Sequence, residues 1–112
     1  MLTYALIAFG IAAVGGLVLA SSVLRDRFAP WGLSVLHALL GASGLILLIM
    51  ILIQGSAPQR LLIGFVLLLL AALAGFFLVS FHMRRKIPPK AVVAAHALVA
   101  VAGFLTLLSL VL

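Results

Sequence analysis

The sequence predicts an all-α membrane protein: a polytopic bundle of four transmembrane helices that run alternately up and down and form a duplicated helical hairpin. Three observations predict this fold: the composition, four apolar stretches and an internal repeat. Of the 112 residues, 68% are hydrophobic and 7% are charged, and the mean hydropathy is +1.54. A water-soluble domain of this length could not bury so much apolar surface.

The four apolar stretches are predicted to be membrane-spanning helices. They cover residues 2–24, 31–53, 61–82 and 89–111. Each is close to the ~20 residues that a helix needs to cross ~30 Å of hydrocarbon. Short separators contain the turn residues and nearly all the charge, so consecutive helices are antiparallel neighbours. Pro30 and Pro89 are predicted to lie in the first turns of helices two and four. The whole chain, 1–112, is therefore a single transmembrane domain.

A motif occurs twice, at 30–44 and 89–103, and reads Pro-x6-His-Ala-Leu-x4-Gly in both places. The offset is constant, since 96 − 37 = 59 for the two histidines. Ala12/Ala71, Gly16/Gly75 and Arg25/Arg84 match at the same offset. We therefore predict two hairpin repeats, 2–53 and 61–112, joined by a linker at 54–60. Because each repeat crosses the membrane twice, the copies share one orientation and are related by a pseudo-twofold axis along the membrane normal.

The distribution of basic residues predicts the orientation, because cytoplasmic loops retain Lys and Arg. Of the seven basic residues, six lie in the separators at 25–30 and 83–90, which we call loops one and three. Only Arg60, in loop two at 54–60, lies on the opposite side. Both termini are then periplasmic and the basic loops cytoplasmic, as expected for a bacterial inner-membrane protein. This topology accounts for the net charge of +6. A basic stripe interleaved with stacking aromatics, typical of nucleic-acid binding, is absent.

His37 and His96 occupy the matched positions of the motif, inside the second and fourth spans. An ionisable residue inside a membrane segment is a functional-site hypothesis by default. In an up-down bundle these two helices face each other across a diagonal of about 13 Å, given neighbouring axes ~8–10 Å apart. Two imidazoles with one metal ion between them span about that distance. The pair therefore predicts a shared metal, with His37 and His96 as its ligands.

Small residues share the helical face of each histidine and favour a flat ligand over a bare ion. At +4 and +7 from the histidines lie Gly41 and Gly44 in helix two, and Ala100 and Gly103 in helix four. Two nearly side-chain-free faces would leave room for a porphyrin. The alternative is that these residues serve close helix packing, as in small-xxx-small motifs.

In architecture the sequence resembles the membrane b-type cytochromes, in which histidines on diagonal helices provide both axial ligands of a haem. The resemblance implies that His37 and His96 ligate the iron, with Gly41, Gly44 and Gly103 giving space to the macrocycle. It implies one haem b per chain, since only two histidines occupy matched positions. Arg25 and Arg84 are candidate partners of the haem propionates, and positive-inside topology alone also explains them.

The scarcity of cysteine and of acidic residues limits the kinds of cofactor site and active site that the chain can form. The chain has no cysteine, so a haem would be non-covalent and cysteine-held clusters are excluded. Asp26 is the only acidic residue, which argues against carboxylate relays and hydrolytic triads. A haem with two axial histidines has no open iron position, so an electron carrier is predicted rather than an enzyme, exchanging electrons with quinone or a redox partner protein. The small bundle is expected to work in membrane lipid as a homodimer or as a subunit of a larger membrane complex.

Two alternatives belong to other functional classes. The chain could be a cofactor-free membrane scaffold or accessory subunit, whose histidines form hydrogen bonds across the bundle. It could also be a pigment-binding subunit in which each histidine ligates a chlorophyll-type magnesium. His82 has no histidine at its matched position, Val23, and is predicted to face lipid headgroups at the membrane surface. The alternatives for His82 are contact with a haem propionate or ligation of a second cofactor.

Overall fold

The computed structural model describes residues 1–112 and consists of four helices joined by short loops. Helix α1 spans Leu2–Leu24, α2 spans Trp31–Ile53, α3 spans Gln59–Met83 and α4 spans Lys90–Leu108. All four are long and apolar enough to cross a membrane, with mean hydropathies of 2.2 to 2.9 in their most apolar windows. The predicted all-α fold with four spans is confirmed.

The helix boundaries agree with the sequence for α1 and α2 and differ for the other two. Helix α3 begins at Gln59, two residues before the predicted start, and ends at Met83. Helix α4 ends at Leu108, and the following residues form a turn. Pro30 and Pro89 precede the first helical residue as N-caps and do not lie inside the first turn, because their backbone ψ angles of 130° and 133° are extended.

The helices form two tightly packed hairpins that sit side by side. Helix α1 packs along α2 and α3 along α4, and the hairpins meet at smaller α1–α4 and α2–α3 contacts. On the diagonals, α1 to α3 and α2 to α4, no Cα atoms come within 8 Å of each other. The bundle measures 44 × 22 × 21 Å, so its long axis matches the ~40–45 Å thickness of a bilayer with its headgroups.

Loops one and three turn in the same way at matched positions. After α1, the N–H of Arg27 donates to the carbonyl of Ser22 and the N–H of Asp26 to that of Val23; after α3, Lys86 donates to Phe81 and Arg85 to His82. These are Schellman pairs. Asp26 (φ 59°) and Arg85 (φ 55°) both adopt the left-handed conformation, and 85 − 26 = 59. The two hairpins therefore share their turn geometry as well as their motif.

The main cluster of buried side chains lies in one half of the bundle. Its seven buried residues are Ala5, Leu6, Phe9, Leu48, Leu61, Leu68 and Leu107. All of them lie between the level of the histidines and the end that carries both chain termini, which we call the terminal end. The opposite end carries loops one and three with six basic residues, and we call it the basic end. Large apolar side chains cover the outer surface of every helix, as suits a lipid environment.

Candidate functional site

His37 and His96 meet inside the bundle, although the backbones of α2 and α4 lie apart. Their ring centroids are 6.2 Å from each other and the ring planes are inclined by 73°. Both side chains are half-buried. The structure thus brings together the two residues that the repeat singled out, at equivalent positions of the two hairpins.

Each imidazole is held by a backbone carbonyl of the other helix in its own hairpin. Nδ1 of His37 lies 2.8 Å from the carbonyl oxygen of Ala12, and Nδ1 of His96 lies 2.7 Å from that of Ala71. A carbonyl oxygen can only accept a hydrogen bond, so both Nδ1 atoms carry hydrogen and donate it. In the neutral ring, the lone pair then lies on Nε2. Nδ1 is thus occupied in both rings and Nε2 carries the lone pair, and metal-binding imidazoles have the same hydrogen-bond pattern.

Two glycines allow the rings to lie directly against the neighbouring helices. A Cβ added at Gly16 would lie 2.9 Å from Cε1 of His37, and one added at Gly75 would lie 3.2 Å from Cε1 of His96. Gly16 and Gly75 stand at matched positions, one turn from the carbonyls that accept the hydrogen bonds. The sequence contained this signal as Ala12/Ala71 and Gly16/Gly75, but general helix packing explained those small residues equally well.

A side chain at Gly16 is expected to displace the ring of His37 and break its hydrogen bond to Ala12. We predict that Gly16→Val lowers the free energy of unfolding by about 1–3 kcal/mol, the usual effect of overpacking. Gly32→Val is the matched control, because a Cβ at Gly32 meets nothing within 4 Å. The measurement is unfolding in SDS titrations followed by circular dichroism. Equal losses of unfolding free energy in the two variants would show that the position of the His37 ring does not depend on Gly16.

The small residues at +4 and +7 from the histidines differ in whether other side chains pack against them. A Cβ at Gly44 would meet the ring of Phe9 at 2.6 Å, and one at Gly103 would meet Cγ of Leu68 at 2.9 Å. Protein side chains thus occupy the space beside both residues. Gly41 is different, since a Cβ there meets nothing within 4 Å, and Ala100, its mate, is half-buried. Of the three glycines predicted to make room for a macrocycle, Gly41 is the one with open space.

Arg25 and Arg84 lie at the basic end and repeat each other's contacts. Nε of Arg25 donates to the carbonyl of Ser21, and Nε of Arg84 donates to that of Ser80. The guanidinium of Arg84 also lies 4.7 Å from the ring centroid of Phe81. Neither arginine pairs with a carboxylate, because the single ion pair joins Lys90 and Asp26. Their role as propionate partners stays a prediction.

His82 lies apart from the histidine pair, at the end of α3. Its ring stacks on Trp31 with centroids 3.9 Å apart and on Phe28 with centroids 6.0 Å apart. Sequence reasoning placed His82 at the membrane surface, but gave no sign of these stacking partners, which come from the first loop and the start of α2.

No further protein ligand accompanies the histidine pair. The structure has no group of three or more His, Cys, Asp or Glu residues that could hold a metal ion. Two imidazoles alone leave a zinc ion short of its usual four ligands, whereas a haem iron needs only two axial ligands. Comparisons with protein-family models, curated proteins and solved structures find no match to the chain.

Proposed function

We propose that this chain is a membrane b-type cytochrome that carries single electrons through one non-covalent haem b, with His37 and His96 as axial ligands. The separation of the two rings is the observation that carries the proposal. If the two Nε2 atoms approached one metal from opposite sides, two bonds of ~2 Å and two ring radii of ~1.15 Å would place the centroids about 6.3 Å apart. The observed distance is 6.2 Å. The hydrogen-bonded Nδ1 atoms leave Nε2 as the ligand on both sides.

The surroundings of the pair support a flat group at this level. The main cluster of buried side chains lies toward the terminal end, with Val23 and Val93 buried nearer the basic end. On α1 and α3 the rings lie against Ala12, Gly16, Ala71 and Gly75. Helices α1 and α3 also keep their backbones apart across the other diagonal. The donor atoms therefore fit a haem iron, and small residues line the space between the hairpins beside them.

The residues of the chain would hold and orient the cofactor. When bound, haem b supplies a one-electron redox couple. His37 and His96 would hold it, and Arg25 and Arg84 would neutralise its propionates at the basic end. The carbonyls of Ala12 and Ala71 fix the orientation of the imidazoles. An iron held by both histidines would have no free position for a substrate, so the partners we propose are quinone or a redox protein.

The same proposal includes the placement of the bundle in the membrane. By the positive-inside rule the basic end faces the cytoplasm of a bacterial inner membrane, and both termini face the periplasm. The histidine pair lies between the core and the basic end, so electron exchange takes place in the cytoplasmic leaflet. The shared motif, turns and histidine contacts support duplication of one hairpin as the origin of the pair.

An absorption spectrum tests the proposal. Protein purified in detergent from cells supplied with haem should show the sharp reduced-state bands of low-spin haem, and a pyridine haemochrome assay should give about one haem per chain. A colourless protein under these conditions would exclude a b-type cytochrome. The assay needs no electron donor or acceptor, so it does not depend on the identity of the redox partner.

The cofactor-free scaffold is the second candidate, and two observations favour it. Both histidines already have hydrogen-bond partners in their own hairpins, and Phe9 and Leu68 fill the space beside Gly44 and Gly103. The pigment alternative fits less well. If each histidine held its own macrocycle, two stacked macrocycles would have to fit between the rings. The required distance between the ring centroids would then increase by ~3.5 Å, the van der Waals thickness of one macrocycle, whereas the observed distance is only 6.2 Å.

A further inference from the structure

The two hairpins differ in charge at two corners of the basic end. At the corner between α1 and α4, Lys90 pairs with Asp26 at 3.4 Å. The mates of these residues at the offset of 59 are Trp31 and Arg85. An ion pair at the first corner is thus replaced by an aromatic residue and an unpaired cation at the second.

The second corner contains an aromatic cleft, which we define by its lining residues Phe28, Ala29, Trp31, His82 and Arg85. The volume of the cleft is about 310 Å³. The stacked rings of Trp31 and His82 form part of its lining. At the first corner, Val23 stands in place of His82 and Ile87 in place of Phe28, so the stack exists on one side only.

Arg85 gives the cleft its charge and has an unfavourable backbone conformation. No carboxylate pairs with it, since Asp26 is the only acid and is bound to Lys90. Its φ of 55° is left-handed, which costs a non-glycine L-residue roughly 1–2 kcal/mol. Loop two uses a glycine, Gly55, at the equivalent place after α2. The left-handed conformation belongs to the turn that loops one and three share, since Asp26 has it too. The feature that distinguishes Arg85 is therefore its exposed, unpaired charge in the lining of the cleft.

We propose that the aromatic cleft binds the phosphate headgroup of an anionic phospholipid in the leaflet at the basic end. Arg85 provides the cation and hydrogen-bond donors that phosphate recognition requires. Trp31 and Phe28 are amphipathic or apolar rings at the level where aromatic residues contact headgroups. Val35, one turn along α2 from Trp31 and on the same helical face, is an exposed apolar residue, so an acyl chain can lie against α2 next to the cleft. A lipid therefore fits this corner better than a free anion.

The only tryptophan of the chain is in the cleft, so its fluorescence reports binding directly. Detergent-purified protein is titrated with short-chain phosphatidylglycerol and, separately, with phosphatidylcholine of the same chain length. We expect phosphatidylglycerol to change the emission of Trp31 at concentrations at which phosphatidylcholine does not. Native mass spectrometry should then show one tightly retained anionic lipid per chain. Equal responses to the two lipids would overturn the proposal.

Substitutions of Arg85 test whether lipid binding depends on the cleft or on the overall positive charge of the basic end. Arg85→Gln should weaken phosphatidylglycerol binding at least about tenfold, because a charge-assisted hydrogen bond to the phosphate is lost. Arg85→Gly should do the same without loss of stability, because glycine relieves the left-handed strain. Arg27→Gln removes one charge from the same end but outside the cleft lining, where solvent and salt screen it, and should leave binding within about twofold. Similar losses for Arg27→Gln and Arg85→Gln would show diffuse attraction and contradict a defined site.

Inorganic phosphate distinguishes a lipid site from an anion site. We expect sodium phosphate to leave both the Trp31 emission and the retained lipid unchanged at concentrations where phosphatidylglycerol saturates the protein. Displacement of the lipid by phosphate at comparable concentrations would identify a site for the free anion, and the lipid proposal would be wrong. The outcome is independent of haem, because neither titration requires the cofactor.

Discussion

Replacing either His37 or His96 by alanine is expected to abolish the low-spin haem spectrum, and the two single variants should lose it equally. In the proposed site each histidine would provide one of two ligands, and equivalent hydrogen bonds hold the two rings. Loss of residues that merely orient a metal ligand costs 10–100-fold in affinity, so loss of the ligand itself should lower haem affinity by on the order of 100-fold or more. The measurement is the reduced-minus-oxidised spectrum and the haem content per chain.

His82→Ala is the matched control, because it also removes one histidine but leaves the pair intact. His82 stacks on Trp31 at the basic end. The variant should keep the spectrum of the parent protein. A pair that serves only as a structural contact predicts a different pattern: His37→Ala and His96→Ala would lower stability while the purified parent protein binds no haem. If His82→Ala lost the spectrum and His37→Ala kept it, the assignment of the ligands would be wrong.

The fold was predictable because lipid imposes a simple constraint on composition. Nearly every residue of a span must be apolar, so the charged and turn-forming residues mark the loops. Helix ends were less predictable where apolar residues continue beyond the helix. Helix α4 ends at Leu108, although Leu110 and Val111 are as apolar as the residues before them. Helix α3 starts at Gln59, directly after its N-cap Pro58. Gln59 and Arg60 are polar, so hydropathy gave no sign that they belong to the helix.

The histidine pair was predictable from the repeat, but its hydrogen-bond partners were not. A backbone carbonyl is present at every residue, so no residue type marks Ala12 or Ala71 as acceptors. The glycines posed a different problem. A slot for a macrocycle and a close contact between helices both require a small residue, and only the structure shows that Phe9 lies against Gly44. The stack on His82 joins residues about 50 positions apart (82 − 31 = 51), and no repeat match relates them.

Gly103→Leu is expected to destabilise the bundle by on the order of 3 kcal/mol, whether or not haem is present. A Cβ at Gly103 would lie 2.9 Å from Cγ of Leu68, 3.1 Å from Cβ of Leu67 and 3.2 Å from the carbonyl oxygen of Gly64. The last contact is with backbone, which cannot rotate away as a side chain does, so α3 and α4 would have to separate. Overpacking of this kind costs typically 1–3 kcal/mol, occasionally more. The measurement is SDS-induced unfolding of the apoprotein.

Gly41→Leu is the matched substitution. It tests whether the small residue serves helix packing or leaves space for a haem. A Cβ at Gly41 meets nothing within 4 Å, and leucine is the better helix former by roughly 0.8 kcal/mol, so the apoprotein should keep its stability. If the open space beside Gly41 admits the edge of a haem, the same substitution should lower the haem content per chain. A fall in haem content without a fall in apoprotein stability is therefore the result we expect for Gly41→Leu. Unchanged haem content would place the macrocycle away from this face, and a loss of apoprotein stability would show that Gly41 is a packing residue like Gly103.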